Sequence, residues 1–296
     1  MKKILILGSE GMLGNTVVKF LSKRNFKVSE SNRSGKPIVS GNEIFRFDIL
    51  KDNSKDFIDS LPFFDYVINC TGLIKHKINE NMSSSILSAF RVNSIFPFEL
   101  ALHFQKRSRI IQIGTDCVYD GKIGLYSELS EKTETDIYGV SKREGEVQND
   151  NFMIIRCSVI GLELASKLEL LSWFLNSPKG HTVKGFTNHL WNGVTTLDFA
   201  KVIGGVIQED NFSAGTHHLV PRDDKSKFEL LNLVAQFFDR EDIQIIPEEA
   251  STAINRTLTT INSKVNGDFW EAAGYSRPPS IADMISSYSS WLRGSL

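Results

Sequence analysis

A glycine-rich turn near the start of the chain limits the possible folds more than any other segment. An apolar run at residues 4–7 leads into residues 8–14, GSEGMLG, and apolar residues at helical spacing follow. This order predicts a buried strand, a tight turn and a helix. Such glycines allow the turn, admit a pyrophosphate to the backbone and let the helix pack on the strand. The residues expected to bind a dinucleotide here are Gly8, Glu10, Gly11, Met12, Leu13 and Gly14.

Short apolar strands and helices continue to alternate as far as residue 160. Further strands are predicted at residues 26–31, 44–47, 66–69, 110–113 and 153–157. The longest helical segment covers residues 86–106, and Pro97 either kinks it or starts a new helix within it. This alternation predicts an α/β fold, a Rossmann-type doubly wound parallel sheet covered by helices on both faces.

The pattern changes beyond residue 161. Helices are predicted at residues 169–176, 196–208, 227–240 and 281–292, and short strands at residues 215–220 and 243–246. We predict a dinucleotide-binding domain over residues 1–160, completed by part of 190–215. A smaller, interleaved C-terminal substrate lobe then takes up most of residues 161–296.

The overall charge excludes general attraction to phosphate. The chain carries 34 Lys and Arg against 35 Asp and Glu, a formal net charge of −1. Nothing in this balance favours nucleic acid or an anionic membrane as a partner, so any phosphate must be bound at a local site.

Cysteine content and hydropathy indicate a soluble, cytoplasmic protein. The three cysteines, Cys70, Cys117 and Cys157, are odd in number and widely spaced, which favours neither a disulfide framework nor a zinc site. We expect no metal. The apolar run at residues 4–7 is too short for a signal peptide, which needs roughly 7 to 15 apolar residues, and no run approaches the ~18 of a membrane span.

The end of the second predicted strand bears on the choice of cofactor. Asn32 stands where NAD-binding folds place an acidic residue for the ribose 2′-hydroxyl, and Arg33 follows it. This pattern favours NADP(H), whereas Glu30 would select NAD(H) if the strand ended two residues earlier; otherwise Glu30 is a solvated charge. After the third strand, Asp48 and Ile49 are placed to hold adenine, although Asp in this position equally often caps a helix.

A second group of residues suggests acid–base chemistry. Tyr138 and Lys142 are four residues apart, on one face of a predicted helix, where the Lys cation would lower the pKa of the phenol. Thr115 follows the fifth strand and would hold a substrate oxygen at the carboxyl edge of the sheet. By contrast, His217 and His218 are adjacent on a strand and face opposite sides, which argues against a shared metal.

Together these segments resemble the extended short-chain dehydrogenase/reductases, and among them the dTDP-4-dehydrorhamnose reductase group. The similar segments run along most of the chain: residues 8–14, 65–72 (DYVINCTG), 91–93 (RVN), 114–121 (GTDCVYDG), 138–142 (YGVSK), 156–161 (RCSVIG) and 192–196 (NGVTT). The resemblance implies that cofactor binding also involves Cys70, Thr71, Gly72 and Asn93. It places Thr115, Asp116, Cys117, Val159, Trp191 and Arg256 at the substrate.

The resemblance implies a reductase that transfers hydride from NADP(H), or from NAD(H), to the keto carbon of a nucleotide-activated 4-keto-6-deoxy sugar. Tyr138 would donate the proton, Thr115 would hold the carbonyl oxygen, and Lys142, supported by Asn93 through water, would bind the nicotinamide ribose. The group acts in dTDP-rhamnose and polysaccharide biosynthesis. Gly114, Cys117 and the lack of an aromatic residue near Val159 depart from its pattern and leave the sugar open.

Two alternatives follow from the same residues. An epimerase or dehydratase would use the same Tyr and Lys but would regenerate its cofactor. A non-catalytic, NADP-binding regulatory subunit would keep the glycine turn, although the intact Thr115, Tyr138 and Lys142 argue against it. The expected partner is the nucleotide sugar, with a homodimer as a further option.

Overall fold

The computed structural model describes residues 1–105, 107–164 and 166–294. The strands are β1 (Lys2–Leu7), β2 (Phe26–Asn32), β3 (Glu43–Arg46), β4 (Tyr66–Asn69), β5 (Arg109–Ile113), β6 (Phe152–Arg156), β7 (Val159–Ile160), β8 (Thr182–Phe186), β9 (His189–Trp191), β10 (Val194–Thr195), β11 (Gly215–His218), β12 (Lys225–Ser226), β13 (Gln244–Glu248) and β14 (Ile254–Asn255). The helices are α1 (Met12–Leu21), α2 (Ser54–Ser60), α3 (Ser83–Phe90), α4 (Phe96–His103), α5 (Ile137–Glu144), α6 (Leu170–Leu175), α7 (Thr196–Gln208), α8 (Lys227–Phe237), α9 (Ser263–Ala272) and α10 (Ile281–Arg293).

The short apolar runs form one sheet of seven parallel strands in the order β11-β6-β5-β4-β1-β2-β3. Parallel strands are buried on both faces, which explains their continuous apolar sequence. The chain moves outwards from β1 to β3 and then returns to build the other half from β4. The strand order therefore reverses between β1 and β4, and ligands of such folds bind in the crevice at this reversal. The predicted fold class is confirmed.

Helices cover both faces of the sheet. One apolar core joins the sheet to α1 and α7, and a second core lies between the other face and α2 and α4. Helix α7 and strand β11 come from the second half of the chain, yet they complete the layers of the first half. The predicted domain boundaries themselves stay a prediction.

The long helical segment predicted at residues 86–106 is divided. Helix α3 passes through a π-helical turn at Arg91–Ile95 into α4, and Pro97 lies in the first turn of α4. Ile95 and Phe96 keep right-handed helical φ and ψ, so the segment is one helix interrupted by a π turn and not two helices with a new start at Pro97. The predicted end at Lys106 lies outside the described residues.

The C-terminal part carries three smaller sheets, β12-β9-β14, β13-β8 and β10-β7. Strand β12 runs antiparallel to β9 and leads directly into α8, whose N-terminus is closed by a capping box of Ser226 and Glu229. This places the start of α8 beside the end of β9. Across the described parts of the chain, no helix combines the length and the apolar character needed to cross a membrane.

Candidate active site

The glycine turn has the geometry that its sequence predicts. Gly8 adopts a φ of 77°, and a Cβ at Gly14 would lie 2.2 Å from the Gly8 carbonyl oxygen, so α1 packs directly on the turn. No side chain caps the N-terminus of α1. Its first backbone N–H groups therefore remain available to an anion at the crevice. Glu10 and Met12 are half-buried and Gly11 is exposed, whereas Leu13 is buried in the core.

Asn32 ends β2, and its side chain is hydrogen-bonded to other residues of the protein. Its amide nitrogen donates to Ser9 Oγ at 2.9 Å and to the Lys36 carbonyl at 2.8 Å, and its oxygen accepts from Gly35 N at 2.8 Å. The side chain thus fixes the loop after β2 against the glycine turn. Arg33 is exposed beside it.

Glu30 is neither a solvated charge nor a ligand of the ribose, and this part of the sequence interpretation is wrong. The residue is fully buried, because β2 continues to Asn32. Its carboxylate accepts hydrogen bonds from the backbone N–H groups of Ile38 (2.9 Å) and Val39 (3.1 Å) and from Asn42 Nδ2 (2.9 Å). Glu30 therefore holds the loop at residues 33–42.

Asp48 forms a turn after β3 instead of a helix cap. Its Oδ1 accepts from Leu50 N at 3.1 Å, and its backbone N–H donates to Asp52 at 2.8 Å. The carboxyl group is nearly buried, and Ile49 beside it is half-buried. The adenine role of the two residues stays a prediction.

The loop after β4 lies against the glycine turn. A Cβ at Gly8 would lie 3.2 Å from the Cys70 carbonyl and 3.1 Å from Thr71 Cγ2. The Thr71 hydroxyl donates to Asn69 Oδ1 at 2.6 Å. Together with Gly72, these residues line one side of the crevice, where the resemblance places a cofactor.

Asn93 lies in the π-helical turn and joins this loop to the helix of Tyr138. Its amide oxygen accepts from Leu73 N at 2.8 Å, and its nitrogen donates to the Leu73 carbonyl at 2.9 Å and to Ser141 Oγ at 3.0 Å. Asn93 thus ties the loop after β4 to α5. Its support of Lys142 through water stays a prediction.

Tyr138 and Lys142 lie on α5, which begins at Asp136, whose side chain accepts from Gly139 N at 2.7 Å. The buried Lys142 ammonium donates to the Ile113 carbonyl at 3.0 Å, at the end of β5. Thr115 follows β5 closely and is also nearly buried. The carboxyl end of β5 thus brings the hydroxyl of Thr115 and the two α5 side chains to the crevice.

The protonation states differ from the sequence expectation. Burial raises the pKa of Tyr138 above its usual value, and the Cys117 thiol and the Asp116 carboxyl raise it further, while the bond to Thr115 opposes the shift. Lys142 is not among the main influences on the phenol. The prediction that Lys142 lowers the Tyr138 pKa is therefore wrong for this structure, because burial dominates.

Burial acts on Lys142 in the opposite direction. It lowers the pKa of the ammonium to about 8, and the Glu146 carboxylate and the Cys70 thiol only partly oppose this shift. The protein thus supplies a protonated phenol next to an amine that exchanges its proton near neutral pH.

Thr115 organises the turn that follows it. Its hydroxyl accepts from Cys117 N at 3.2 Å and donates to Asp116 Oδ1 at 3.3 Å. Burial raises the pKa of the Cys117 thiol to about 12, which leaves it neutral and unreactive. The related group has Ser at the position of Gly114. Here the backbone of Gly114 lies against Arg156, so a Cβ added at Gly114 would come within 2.9 Å of Arg156 Cγ.

Val159 and Trp191 lie on the lobe side. Val159 is half-buried in β7, which pairs with β10. Trp191 is only 5% exposed, and its indole N–H donates to Ser158 Oγ at 2.8 Å. Trp191 is therefore a core residue, and its contact with a sugar stays a prediction.

Arg256 lies beside the same turn, but its guanidinium already has partners. Nε donates to the Tyr119 carbonyl at 2.8 Å, and Nη2 pairs with Glu134 at 2.6 Å. The Cys117 thiol, the Glu134 carboxylate and the Asp116 carboxyl raise the pKa of Arg256 against the effect of burial, which places Arg256 near the turn at residues 115–117. Its contact with a diphosphate stays a prediction.

Sequence reasoning missed Lys227 and Glu169. The Lys227 ammonium lies 5.7 Å above the Trp191 ring, and the carboxyl groups of Asp116 and Glu169 act on its pKa. No motif includes Lys227, and it is separated from Asp116 by more than a hundred residues. Only its place at the junction of β12 and α8 could have drawn attention to it.

The two adjacent histidines face opposite sides of β11, as predicted. His217 packs edge-on against Phe269, with ring centroids 5.8 Å apart. His218 Nε2 lies 2.7 Å from Arg156 Nη1, and its Nδ1 lies 2.7 Å from the Thr259 carbonyl. Because Arg156 can only donate, His218 is neutral with its proton on Nδ1.

A family model described as the RmlD substrate binding domain matches residues 1–290. The chain belongs to this family. The resemblance found in the sequence is thereby confirmed. No curated protein sequence matches the chain.

Solved structures similar to this RmlD-family chain share its fold. A dTDP-4-dehydrorhamnose reductase from Clostridium acetobutylicum is 22% identical with a TM-score of 0.73, and the match covers 98% of this chain and 99% of the other. A Bacillus anthracis dTDP-4-dehydrorhamnose reductase in complex with NADP is 16% identical with a TM-score of 0.73, and the match covers 97% of this chain and 98% of the other. MoeE5 in complex with UDP-glucose and NAD is 16% identical with a TM-score of 0.73, and the match covers 99% of each chain.

Proposed function

We propose that this RmlD-family chain is an NAD(P)H-dependent reductase of a nucleotide-activated 4-keto-6-deoxy sugar, as in dTDP-rhamnose and polysaccharide biosynthesis. The observation that carries the proposal is the arrangement at the β1/β4 reversal. There the uncapped start of α1 lies at the same edge of the sheet as Thr115, Tyr138 and Lys142.

The crevice fits a dinucleotide. Gly14 leaves no room for a side chain against Gly8, and the α1 N–H groups point outwards without a cap, as a pyrophosphate requires. When bound, the nicotinamide cofactor supplies the hydride. The residues nearest to it would be those of the glycine turn and of the loop at residues 70–72.

The side chains of this protein supply the proton and the orientation. The raised pKa keeps the Tyr138 phenol protonated, which suits a donor to the developing alkoxide. Thr115 Oγ would hold the same oxygen. Lys142 would bind a ribose hydroxyl and, with its pKa of about 8, would return a proton to the tyrosine after transfer.

We favour NADP(H) as the cofactor, with NAD(H) as an alternative. Glu30 is bound to the loop at residues 38–42, so no carboxylate at the end of β2 is free for the ribose 2′-hydroxyl. Arg33 is exposed at this point and suits a 2′-phosphate. Three free cysteines agree with a reducing cytoplasm as the place of the reaction.

The decisive assay follows NADPH oxidation with dTDP-, GDP- and UDP-linked 4-keto sugars. We expect turnover with one of them, and we expect Tyr138→Phe to bind NADPH normally while turnover falls roughly 10²- to 10⁴-fold, the usual effect of losing a general acid. Unchanged turnover in the variant would exclude the proton-donor role.

Other outcomes of the same assay point to other functions. Product without net NADPH consumption would indicate an epimerase or dehydratase. NADPH binding without product from any of these sugars would indicate a regulatory subunit.

We further propose a homodimer through the α3–α4 helices. An apolar stripe there is largely exposed, with Leu87 at 69%, Ile95 at 48%, Phe98 at 52% and Leu102 at 66%. The spacing of these residues puts them on one face of the helix pair, and a contiguous apolar patch usually marks an interface. Sedimentation of the purified protein as a monomer at micromolar concentration would refute this.

A further inference from the structure

Lys227 carries a charge in a place that disfavours one. It is the first residue of α8, where the partial positive charge of the helix N-terminus opposes a cation. The side chain is half-buried, and burial lowers the pKa of its ammonium. Folding would therefore favour an apolar residue here.

Nothing among the described residues neutralises this charge directly. Asp116 and Glu169 act on Lys227 through their charges, but neither side chain comes within the 4.0 Å of an ion pair. The ring of Trp191, 5.7 Å from Nζ, offsets only part of the cost of burial. By contrast Lys225, two residues earlier, pairs with Asp223 at 2.9 Å.

Lys227 faces the same space as the proton donor. Asp116, Cys117 and Glu169 act on both Lys227 and Tyr138, so these groups surround one region on the lobe side of the crevice. The antiparallel register fixes the position: Lys225 pairs with Trp191 across β12 and β9, and α8 starts immediately afterwards. Lys227 thus starts α8 beside Trp191, at the border of this region.

We propose that Lys227 binds an oxyanion of the diphosphate of the nucleotide sugar. The inference rests on the proposed function, because it places the substrate between the β5 turn and α8. An ammonium held near the reaction site without an ion-pair partner gains most from an anion that arrives with the ligand. Lys227 would thus help to select the substrate.

The test is calorimetric binding to the NADP-saturated protein, and it requires no turnover. The ligands are UDP, UDP-glucose and UDP-glucuronic acid, together with dTDP and dTDP-glucose. The two UDP sugars differ only in the carboxylate at C6. Variants are Lys227→Met, Lys227→Arg as the charge-retaining change, and Lys225→Met as a matched control two residues earlier, on β12.

A diphosphate contact predicts that Lys227→Met weakens every ligand that binds, including the free nucleotide, by roughly 10- to 100-fold. A loss confined to UDP-glucuronic acid would indicate a contact with a sugar carboxylate, which a 6-deoxy sugar lacks, and would overturn the diphosphate contact. Lys227→Arg should retain most of the affinity, and Lys225→Met should have no effect. Equal affinities of wild type and Lys227→Met for all ligands would overturn the inference.

Thermal unfolding separates this role from a structural one. We expect Lys227→Met to melt at the same temperature as wild type or higher, since an unpaired buried charge is removed. A lower melting temperature with unchanged binding would make the contact with Trp191 structural and would overturn the inference. If wild type binds none of the ligands and reduces no keto sugar, the proposed function fails as well.

Discussion

Gly145 allows the helix of Tyr138 and Lys142 to approach the π-helical turn, and Gly145→Ala tests how closely the site depends on this contact. The residue follows α5 with φ −92° and ψ 7°, which alanine also adopts. Backbone strain is therefore not the issue. A Cβ would lie 1.9 Å from the Asn93 carbonyl oxygen and 2.9 Å from its carbon.

The size of the effect follows from this distance. Real Cβ contacts essentially never fall below 3.0 Å, so the end of α5 and the π turn must separate by about 1.1 Å. Both partners are backbone, and no flexible side chain can give way. Overpacking of this kind costs about 3 kcal/mol, at the upper end of its usual range. A displacement of ~1 Å at catalytic groups lowers the rate by about 10²-fold.

Urea unfolding and kcat/KM, measured on the same preparations, provide the assay. Gly267→Ala is the matched control, because it lies inside α9 with nothing within 4 Å of the added Cβ. We expect the control to gain about 0.5–1 kcal/mol of stability and to keep full activity. Gly145→Ala with wild-type stability and activity would refute the argument that backbone contact sets the position of α5.

Two further predictions concern buried ionisable groups. Glu30→Gln should lower the free energy of unfolding by about 3 kcal/mol and weaken NADPH binding. The reason is that an amide cannot accept all the hydrogen bonds that hold residues 33–42. The control Glu43→Gln, at an exposed residue, should change neither quantity. Equal NADPH affinity in both variants would contradict this. Burial lowers the pKa of His218 to about 4, so the unfolded state takes up a proton first as the pH falls below ~6.5. The free energy of unfolding should then fall by up to about 3 kcal/mol between pH 6.5 and 4. This loss should be smaller in His218→Asn than in the control His181→Asn, which changes an exposed residue. If urea titrations give the two variants parallel curves of stability against pH, the assignment is wrong.

The sequence was informative where the determinants are local. The buried strands at residues 66–69 and 110–113 and the helix at residues 196–208 were predicted within one residue, because apolar periodicity and flanking turns define them. The glycine turn was also predicted, since Gly11 and Gly14 each lie against Gly8 within the turn itself.

The parts that escaped prediction depend on contacts across the chain. Glu30 looked like a surface charge until the loop at residues 38–42 closed over it. The direction of the Tyr138 pKa depends on burial by distant segments, which no spacing of Tyr and Lys reveals. Lys227 lies beside Trp191 only because β12 pairs with β9.

The amide of Asn93 has a consequence for redesign. By bonding to Leu73 on one side and Ser141 on the other, it makes the loop after β4 and helix α5 one mechanical unit. A redesign of the loop after β4 would therefore also displace Tyr138 and Lys142. The loop at residues 33–42 is held by Glu30 and is tied to the glycine turn through Asn32, so an exchange of this loop must keep the contact between Asn32 and Ser9.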